Sequence, residues 1–403
     1  MRITETANKL PGIEKLRRAT RDRSLREAAF VFTITRLTIF VIAVVVGQTV
    51  VNLEGKQFFQ DVLDPSASFR RAPIGRHLRL AIARGDATWY CAVAEEGYEH
   101  LPFDASVQRK WAFFPLYPIV LRIARTVTGE CVFTGAVLSN LFFFLALIFL
   151  HKLTLEWGYD SETANRTLFY LAVYPTSYFF SLPFTESLFL LLTVGSFLAA
   201  RREQWLLAGL LGALASATRA GGVMLFPALA LYSIMRYRAW RPKEMLPLLL
   251  IPVGLVGFMI FLWTYTGNAL AFKDVQVAWH RQPAFFVSTL WEYLRNIRDV
   301  AFPWNPIALN FAAVMGALGC GLFLMKRREW VLSLYTFTML FLPLSTSSLQ
   351  SVTRYTSVVF PVFITLGILG SRPRLDQAIK IIFIVLFGLL TALWAAHVSW
   401  GLT

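Results

Sequence analysis

Long apolar runs separated by short basic loops dominate this chain. About eleven of them are long enough to cross, or nearly cross, a hydrocarbon core of about 30 Å. They lie at about 28–51, 131–151, 163–182, 184–200, 205–220, 222–236, 245–267, 306–325, 330–347, 355–370 and 379–400. The pattern predicts an all-α polytopic membrane protein that forms one domain over residues 1–403.

Several of these runs are short and meet at a proline or at glycines. Leu182-Pro183 separates the third run from the fourth, and Gly221-Gly222 separates the fifth from the sixth. Short paired runs of this kind are typical of helices that end inside a membrane protein, where the broken backbone lines a cavity. We therefore expect a cavity near these two breaks.

The basic residues indicate an orientation. Segment 1–27 is polar and rich in arginine, so the positive-inside rule predicts that it is cytoplasmic. Alternation of eleven spans then puts every short basic loop on the same side. Two long loops, 52–130 and 268–305, fall on the extracytoplasmic side, together with short turns near 182–183, 219–222 and 348–354.

Composition agrees with a membrane protein and leaves one feature open. Hydrophobic residues make up 56% of the chain and charged residues 16%, whereas soluble domains carry about 25% charged residues. The net charge is +15, and the positive-inside rule explains the basic residues of the short loops. This explanation argues against nucleic acid as a partner. The first long loop is also basic. Residues 70–84 fit either an amphipathic helix on anionic headgroups or a site for a phosphate-bearing lipid.

The three cysteines carry little information in the sequence. They form no C-x-x-C pair, which excludes a cysteine zinc site and a disulfide framework. Cys91 and Cys131 can pair only if both face an oxidising compartment, and free thiols are the favoured interpretation.

Four polar residues lie in the short turns on the predicted outer side: Glu186, Arg219, Gln350 and Arg354. A charge inside a membrane span costs about 2.5–3.5 kcal/mol, so such residues pair with one another or face water. Two interpretations follow. One is a structural ion pair, for instance between Glu186 and Arg219, and the other is a functional cavity that all four share.

Several blocks in order along the chain resemble the PIG-V mannosyltransferase family, which belongs to the GT-C superfamily of integral-membrane glycosyltransferases. The blocks are GDATWYCAVAEEGYEH (85–100), WAFFPLYPIVLRIAR (111–125), YPTSYFFSLPFTESLFLLL (174–192), AGLLGALASATRAGG (208–222), QVAWHRQP (276–283) and RYTSVVFP (354–361). One departure is Gly85, where the family usually has tryptophan before the acidic residue. The compact chain suggests a bacterial member in the plasma membrane, or an ER protein if the source is eukaryotic.

The resemblance implies transfer of a hexose, with mannose favoured, from a polyprenyl-phosphate donor to a hydroxyl of a glycolipid or glycan. The transfer takes place on the extracytoplasmic side and inverts the anomeric centre. Asp86 becomes the candidate general base, against the simpler interpretation that it caps a helix.

The remaining candidates follow from the same resemblance. Donor-phosphate binding is expected from Arg219, Arg354, His280 and Arg281. Contacts to sugar or acceptor are expected from Glu186, Gln350, Trp89, Tyr98, Trp111 and Trp279, where the aromatic residues could equally be interfacial anchors. Glu95 and Glu96 are weaker acidic candidates.

Cofactors and rival functions complete the expectations. Some superfamily members use a divalent cation, so one is possible here, but the acidic residues lack the spacing of a metal loop and do not support it. No P-loop or G-x-G-x-x-G occurs, and nothing points to a nucleotide-sugar donor. The rivals are a lipid-linked sugar transporter or flippase, and an O-antigen ligase-like transferase that uses a diphosphate-linked donor.

Overall fold

The computed structural model describes residues 11–49, 74–239, 241–295 and 306–396. The described chain is helical, with one isolated antiparallel bridge between Pro283 and Thr346. The helices are α1 (Pro11–Thr49), α2 (Ile74–Ile82), α3 (Asp86–Glu96), α4 (Leu116–Thr128), α5 (Cys131–Trp157), α6 (Ser161–Ala172), α7 (Glu186–Arg201), α8 (Trp205–Thr218), α9 (Leu225–Tyr237), α10 (Pro242–Met245), α11 (Val253–Thr266), α12 (Ala271–Asp274), α13 (Phe286–Arg295), α14 (Pro306–Lys326), α15 (Trp330–Leu344), α16 (Val352–Thr356), α17 (Phe360–Leu369) and α18 (Pro373–Ala395).

Six helical segments of the described chain are long and apolar enough to cross a membrane. They are Asp22–Gly47, Cys131–Trp157, Ala220–Tyr237, Pro242–Thr266, Ala308–Lys326 and Pro373–Ala395. Three shorter apolar helices, α8, α15 and α17, accompany them. The expected all-helical membrane protein is confirmed, while the count of eleven spans and their orientation stay predictions.

Helix α7 is the centre of the bundle. Nearly every residue from Glu186 to Ala200 is buried, and the helix packs between α5 and α8. Close approach on the far side of α8 depends on small residues, since a Cβ at Gly212 would lie 2.5 Å from Ile251 Cγ1. Small residues let backbones approach in this way in membrane proteins, where the hydrophobic effect does not drive helices together.

The break at Leu182-Pro183 is held by a buried arginine that the sequence did not single out. Arg36, in the middle of α1, donates to the carbonyl oxygens of Ala172 and Ser177 at 3.1 and 2.9 Å. It also donates to the hydroxyls of Ser177 and Ser181. Carbonyls at the end of a helix lack partners within that helix, and Arg36 satisfies that of Ala172, the last residue of α6. The turn that leads into α7 is thereby fixed against α1.

A disulfide between Cys91 and Cys131 joins the middle of α3 to the start of α5, with 5.9 Å between the two Cα atoms. The expectation of free thiols was wrong for this pair, because folding brings the two helices together although 40 residues separate the cysteines. Cys320 is free and buried. The bond fastens the helix that begins at Asp86 to one of the long membrane helices.

The predicted amphipathic helix at 70–84 is partly observed. Ile74–Ile82 is helical, while residues 52–73 of the first long loop lie outside the described residues. The third helix in this loop, α4, exposes an apolar stripe at Ile119, Ile123 and Val127. Residues 296–305 of the second long loop also lie outside the described residues.

Replacing Cys131 with serine should lower the free energy of unfolding by about 2–4 kcal/mol, because the disulfide restricts the unfolded chain. Thermal unfolding in detergent, compared with a Cys320→Ala control, measures this change. Alkylation of the denatured, unreduced protein should modify one cysteine. Modification of all three would show that the disulfide does not form.

Candidate active site

Four separate elements bring their charged residues to one point of the bundle. Asp86 is the first residue of α3, and Glu186 is the first residue of α7. Arg219 follows the last residue of α8, and Arg354 lies in the short helix α16. We refer to Asp86, Glu186, Arg219 and Arg354 as the charge cluster.

Ion pairs connect the charge cluster in a chain. Arg354 Nη1 lies 2.7 Å from Asp86 Oδ2, and Arg354 Nε lies 3.2 Å from Glu186 Oε1. Arg219 Nη1 lies 2.8 Å from the same oxygen of Glu186. The ion pair expected between Glu186 and Arg219 is therefore observed, and it belongs to a larger charged group. The functional cavity shared with Gln350 stays a prediction.

The cluster is open at one end. The side chains of Glu186 and Arg354 are 1% and 6% exposed, whereas Asp86 is 23% exposed. The buried Oε2 of Glu186 and the Nε and Nη1 of Arg354 have no well-aligned hydrogen bond among the described residues, although the two nitrogens lie within ion-pair distance of carboxylates. Buried polar groups are nearly always satisfied, so this gap is typical of a site that receives a ligand.

Local backbone geometry explains how Asp86 reaches this point. Gly85 has φ of 55° and ψ of −133°, a conformation that glycine adopts freely and other residues rarely do. The departure from the family pattern at this position therefore coincides with a tight turn into α3. Asp86 is the first helical residue rather than the cap, and no side-chain capping bond is formed at this end of the helix.

An aromatic wall lies next to Asp86. Trp89, one turn further along α3, stacks on Phe113 with ring centroids 5.5 Å apart and meets the edge of Trp279 at 5.8 Å. Both tryptophans are partly exposed. Flat, partly exposed rings beside a carboxylate are suited to the apolar face of a sugar.

Tyr98 and Trp111 pack in a hydrophobic cluster rather than beside Asp86. The Tyr98 hydroxyl donates to the carbonyl oxygen of Phe113 at 2.6 Å. Trp111 is fully buried in a cluster with Phe258, and its indole nitrogen donates to the carbonyl oxygen of Glu99. For Trp111 the structure thus contradicts both sequence interpretations, sugar contact and interfacial anchor, because its ring has no exposed face.

The weaker acidic candidates point away from the charge cluster. Glu95 pairs with Arg125 at 3.8 Å, and Glu96 pairs with Lys110 at 2.5 Å. Both glutamates are exposed. The pair of Glu95 with Arg125 contributes little stability, whereas Glu96 pairs with the buried Lys110. Both glutamates fit the alternative of surface charge on a short helix.

The second long loop brings one of its two basic candidates to the cluster. Arg281 Nη1 donates to the hydroxyl of Tyr355, which follows Arg354 directly, at 2.9 Å. His280 is exposed, and no contact within the described residues joins its imidazole to the cluster. Gln350 lies in the turn before α16, where its backbone N–H donates to Ser348 Oγ.

Sequence reasoning missed Tyr355. The RYTSVVFP block contains it, but a tyrosine beside an arginine carries no signal until the fold places further arginines around its ring. Arg36 was missed as well, although a lone arginine inside an apolar run is itself a signal, because such a charge needs buried partners.

Within the described residues, no group of three or more His, Cys, Asp or Glu side chains could hold a metal ion. The charged groups of the site are instead ion-paired carboxylates and guanidinium groups. Guanidinium groups bind phosphate and carboxylate through paired hydrogen bonds.

The fold and the charge cluster define a helical membrane protein with a partly open polar site among its helix ends. The family described as mannosyltransferase (PIG-V) matches residues 28–241, which is more than half of the chain. The chain belongs to this family of membrane glycosyltransferases. Among curated proteins, none matches the chain.

Solved structures of the Archaeoglobus fulgidus oligosaccharyltransferase are similar to this chain. The apo crystal structure has 13% identity and a TM-score of 0.42, over 89% of this chain and 54% of that one. The form tethered to an acceptor peptide with the NVT sequon has 12% identity and a TM-score of 0.42, over 89% and 53%. The complex of the archaeal enzyme with an inhibitory peptide and a dolichol-phosphate has 14% identity and a TM-score of 0.39, over 89% and 54%. The chain spans about half the length of these proteins.

Replacing Glu186 with alanine should destabilise the protein by about 3–5 kcal/mol, because the buried Arg354 and the half-buried Arg219 would lose their shared carboxylate. Glu162→Ala is the matched control. It removes an 82% exposed glutamate that pairs with Arg166, and it should cost less than about 1 kcal/mol. Thermal unfolding of both variants in detergent measures the difference. Equal losses would contradict the central role of Glu186.

Proposed function

We propose that this protein transfers a hexose, mannose in the first instance, from a polyprenyl-phosphate carrier to a hydroxyl of a glycolipid or glycan. The observation that carries the proposal is the charge cluster, in which a partly exposed carboxylate, Asp86, lies against a buried arginine, Arg354, at 2.7 Å. Membership of a mannosyltransferase family supports the reaction class.

Asp86 is the proposed general base. Its partly exposed position lets the acceptor hydroxyl approach, and the carboxylate takes the hydroxyl proton as that oxygen attacks the anomeric carbon. The new glycosidic bond forms while the bond from the anomeric carbon to the carrier phosphate breaks. The phosphate leaves with the electron pair. A single displacement of this kind inverts the anomeric centre.

The negative charge on the leaving phosphate has to be stabilised by nearby cations. Arg219, Arg354 and Arg281 supply three positive charges, and Asp86 and Glu186 supply two negative ones, which leaves a surplus of one at the site. Guanidinium groups held in place before the reaction stabilise charge that develops in the transition state. Partly exposed Trp89 and Trp279 are the proposed platform for the sugar.

The extracytoplasmic side is part of the proposal. Disulfides persist in oxidising compartments, so the bond between Cys91 and Cys131 supports an outer location for the helix that carries Asp86. The short basic loops, such as Lys326-Arg327-Arg328, fall on the opposite side by the positive-inside rule. We propose the plasma membrane of a bacterium as the location.

Replacing Asp86 with asparagine should reduce mannose transfer by about 10²–10⁴-fold, because the acceptor proton loses its base. Asp104→Asn, which alters an exposed aspartate of the same loop, is the control and should keep wild-type activity. Formation of mannosylated product from polyprenyl-phosphate mannose in proteoliposomes measures both. Unchanged transfer by Asp86→Asn would overturn the assignment of the base.

The same assay separates the rival functions. A flippase would move the donor across the bilayer without forming a new glycosidic bond. A ligase-like transferase would be inhibited by a diphosphate-linked lipid more strongly than by the monophosphate lipid. Either result in the wild-type protein would refute the proposed reaction.

Cysteine labelling tests the side of the membrane. In a Cys320→Ala background, Val107→Cys should react with a membrane-impermeant maleimide in intact cells, because it lies in the first long loop. Arg327→Cys should react only after the membrane is permeabilised. Both positions are exposed. The reverse pattern would place the site on the cytoplasmic side.

A further inference from the structure

Three arginines from three different elements surround the ring of Tyr355. The guanidinium carbons of Arg219, Arg354 and Arg281 lie 4.8, 5.3 and 5.8 Å from the ring centroid. The hydroxyl of Tyr355 accepts a hydrogen bond from Arg281 at 2.9 Å. Like charges repel, so the approach of three guanidinium groups to one point needs compensation, and the aromatic ring supplies part of it.

The helix that carries Tyr355 is fixed from several directions. Asn310 Oδ1 accepts from the backbone N–H and the hydroxyl of Thr353 at 2.8 and 2.6 Å. Thr176 donates to the carbonyl oxygen of Thr353, and the hydroxyl of Tyr174 lies 2.8 Å from Thr356 Oγ1. Asn310 is 1% exposed, so this anchor lies in the core. The ring of Tyr355 is therefore held by residues that do not themselves belong to the charge cluster.

Two backbone hydrogen bonds fix the position of the second long loop, which carries Arg281. The backbone N–H of Ala284 donates to the carbonyl oxygen of Ser345 at 3.0 Å, and that of Ser347 donates to the carbonyl oxygen of Gln282 at 2.8 Å. These bonds join the loop to the turn that precedes α16. Among the described residues, the guanidinium group of Arg281 has no carboxylate partner, and the only hydrogen-bond acceptor it reaches is the Tyr355 hydroxyl.

We propose that Tyr355 is a positioning residue that gathers Arg219, Arg281 and Arg354 into one phosphate-binding site. Its ring separates the three guanidinium groups, and its hydroxyl holds Arg281 in place until the phosphate of the lipid-linked substrate binds. This inference rests on the proposed function, and it adds to that function the residue that assembles the phosphate site.

The electrostatics of the site give the assignment a measurable signature. Burial opposes ionisation of the phenol, but Arg281, Arg354 and Arg219 outweigh it and lower the pKa of Tyr355 to about 8, although Asp86 acts in the opposite direction. Below that pH the phenol is neutral and the site keeps the surplus of one positive charge that the three arginines have over Asp86 and Glu186. Above it the phenolate cancels this surplus, so phosphate binding weakens as the pH rises.

The test compares wild type with Tyr355→Phe, which keeps the ring and removes the hydroxyl. The KM for polyprenyl-phosphate mannose is measured from about pH 6 to about pH 10. Wild-type KM should rise above about pH 8. The KM of Tyr355→Phe should be about tenfold higher at neutral pH, since Arg281 loses its anchor, and should show no such rise. The kcat at saturating donor should change much less than KM.

Tyr293→Phe is the matched control, because the hydroxyl of Tyr293 accepts from the backbone N–H of Leu349 in the turn before α16 without touching the arginines. It should keep the wild-type pH profile. If Tyr355→Phe also keeps that profile, or if both variants lose activity equally, Tyr355 has only a structural role and the inference is wrong.

Direct binding of polyprenyl phosphate, measured on the same proteins without any acceptor, separates this inference from the proposed function. Weaker binding by Tyr355→Phe with a lost pH dependence supports the role of Tyr355 even if the wild type transfers no mannose. Wild-type transfer together with unchanged lipid-phosphate binding by Tyr355→Phe would leave the proposed function standing and overturn the role of Tyr355.

Discussion

The site depends on one buried oxygen atom, Glu186 Oε1, which lies within ion-pair distance of both Arg219 and Arg354. An ionised carboxylate away from water costs several kcal/mol unless cations and hydrogen bonds compensate it. Helix α7 has to begin at this residue for the two arginines to meet. The turn before it is in turn held by Arg36, in the middle of α1. A fully buried helix thus carries a charge at its end because other helices bring the opposite charge to it.

The fold class could be predicted from the sequence because few kinds of structure can span a bilayer. Apolar runs of sufficient length become helices that satisfy their own backbone, so runs such as 131–151 and 306–325 correspond closely to α5 and α14. Other runs were less well predicted. Run 245–267 divides into α10, a 3-10 turn and α11, because prolines at its start break the helix.

The charged site was predicted only in part. The cost of charge in a membrane pointed to Glu186, Arg219 and Arg354, and the family resemblance pointed to Asp86; the fold brings these four residues together. The order of pairing could not be predicted, since it depends on how four separate elements meet. A role for Tyr355 could not be predicted either, because the arginines around its ring are distant from one another in the sequence.

The ion pairs between Asp86, Glu186, Arg219 and Arg354 can form only in a certain order while the protein is being synthesised. The two carboxylates enter the membrane early, at positions 86 and 186, whereas Arg354 is made last. Until the ribosome has passed that codon, Asp86 has none of the arginine contact seen in the finished fold, and Glu186 has only Arg219. Nascent chains that end before α16 therefore lack the arginine that Asp86 contacts in the finished fold, and the charge cluster is complete only after synthesis has passed Arg354.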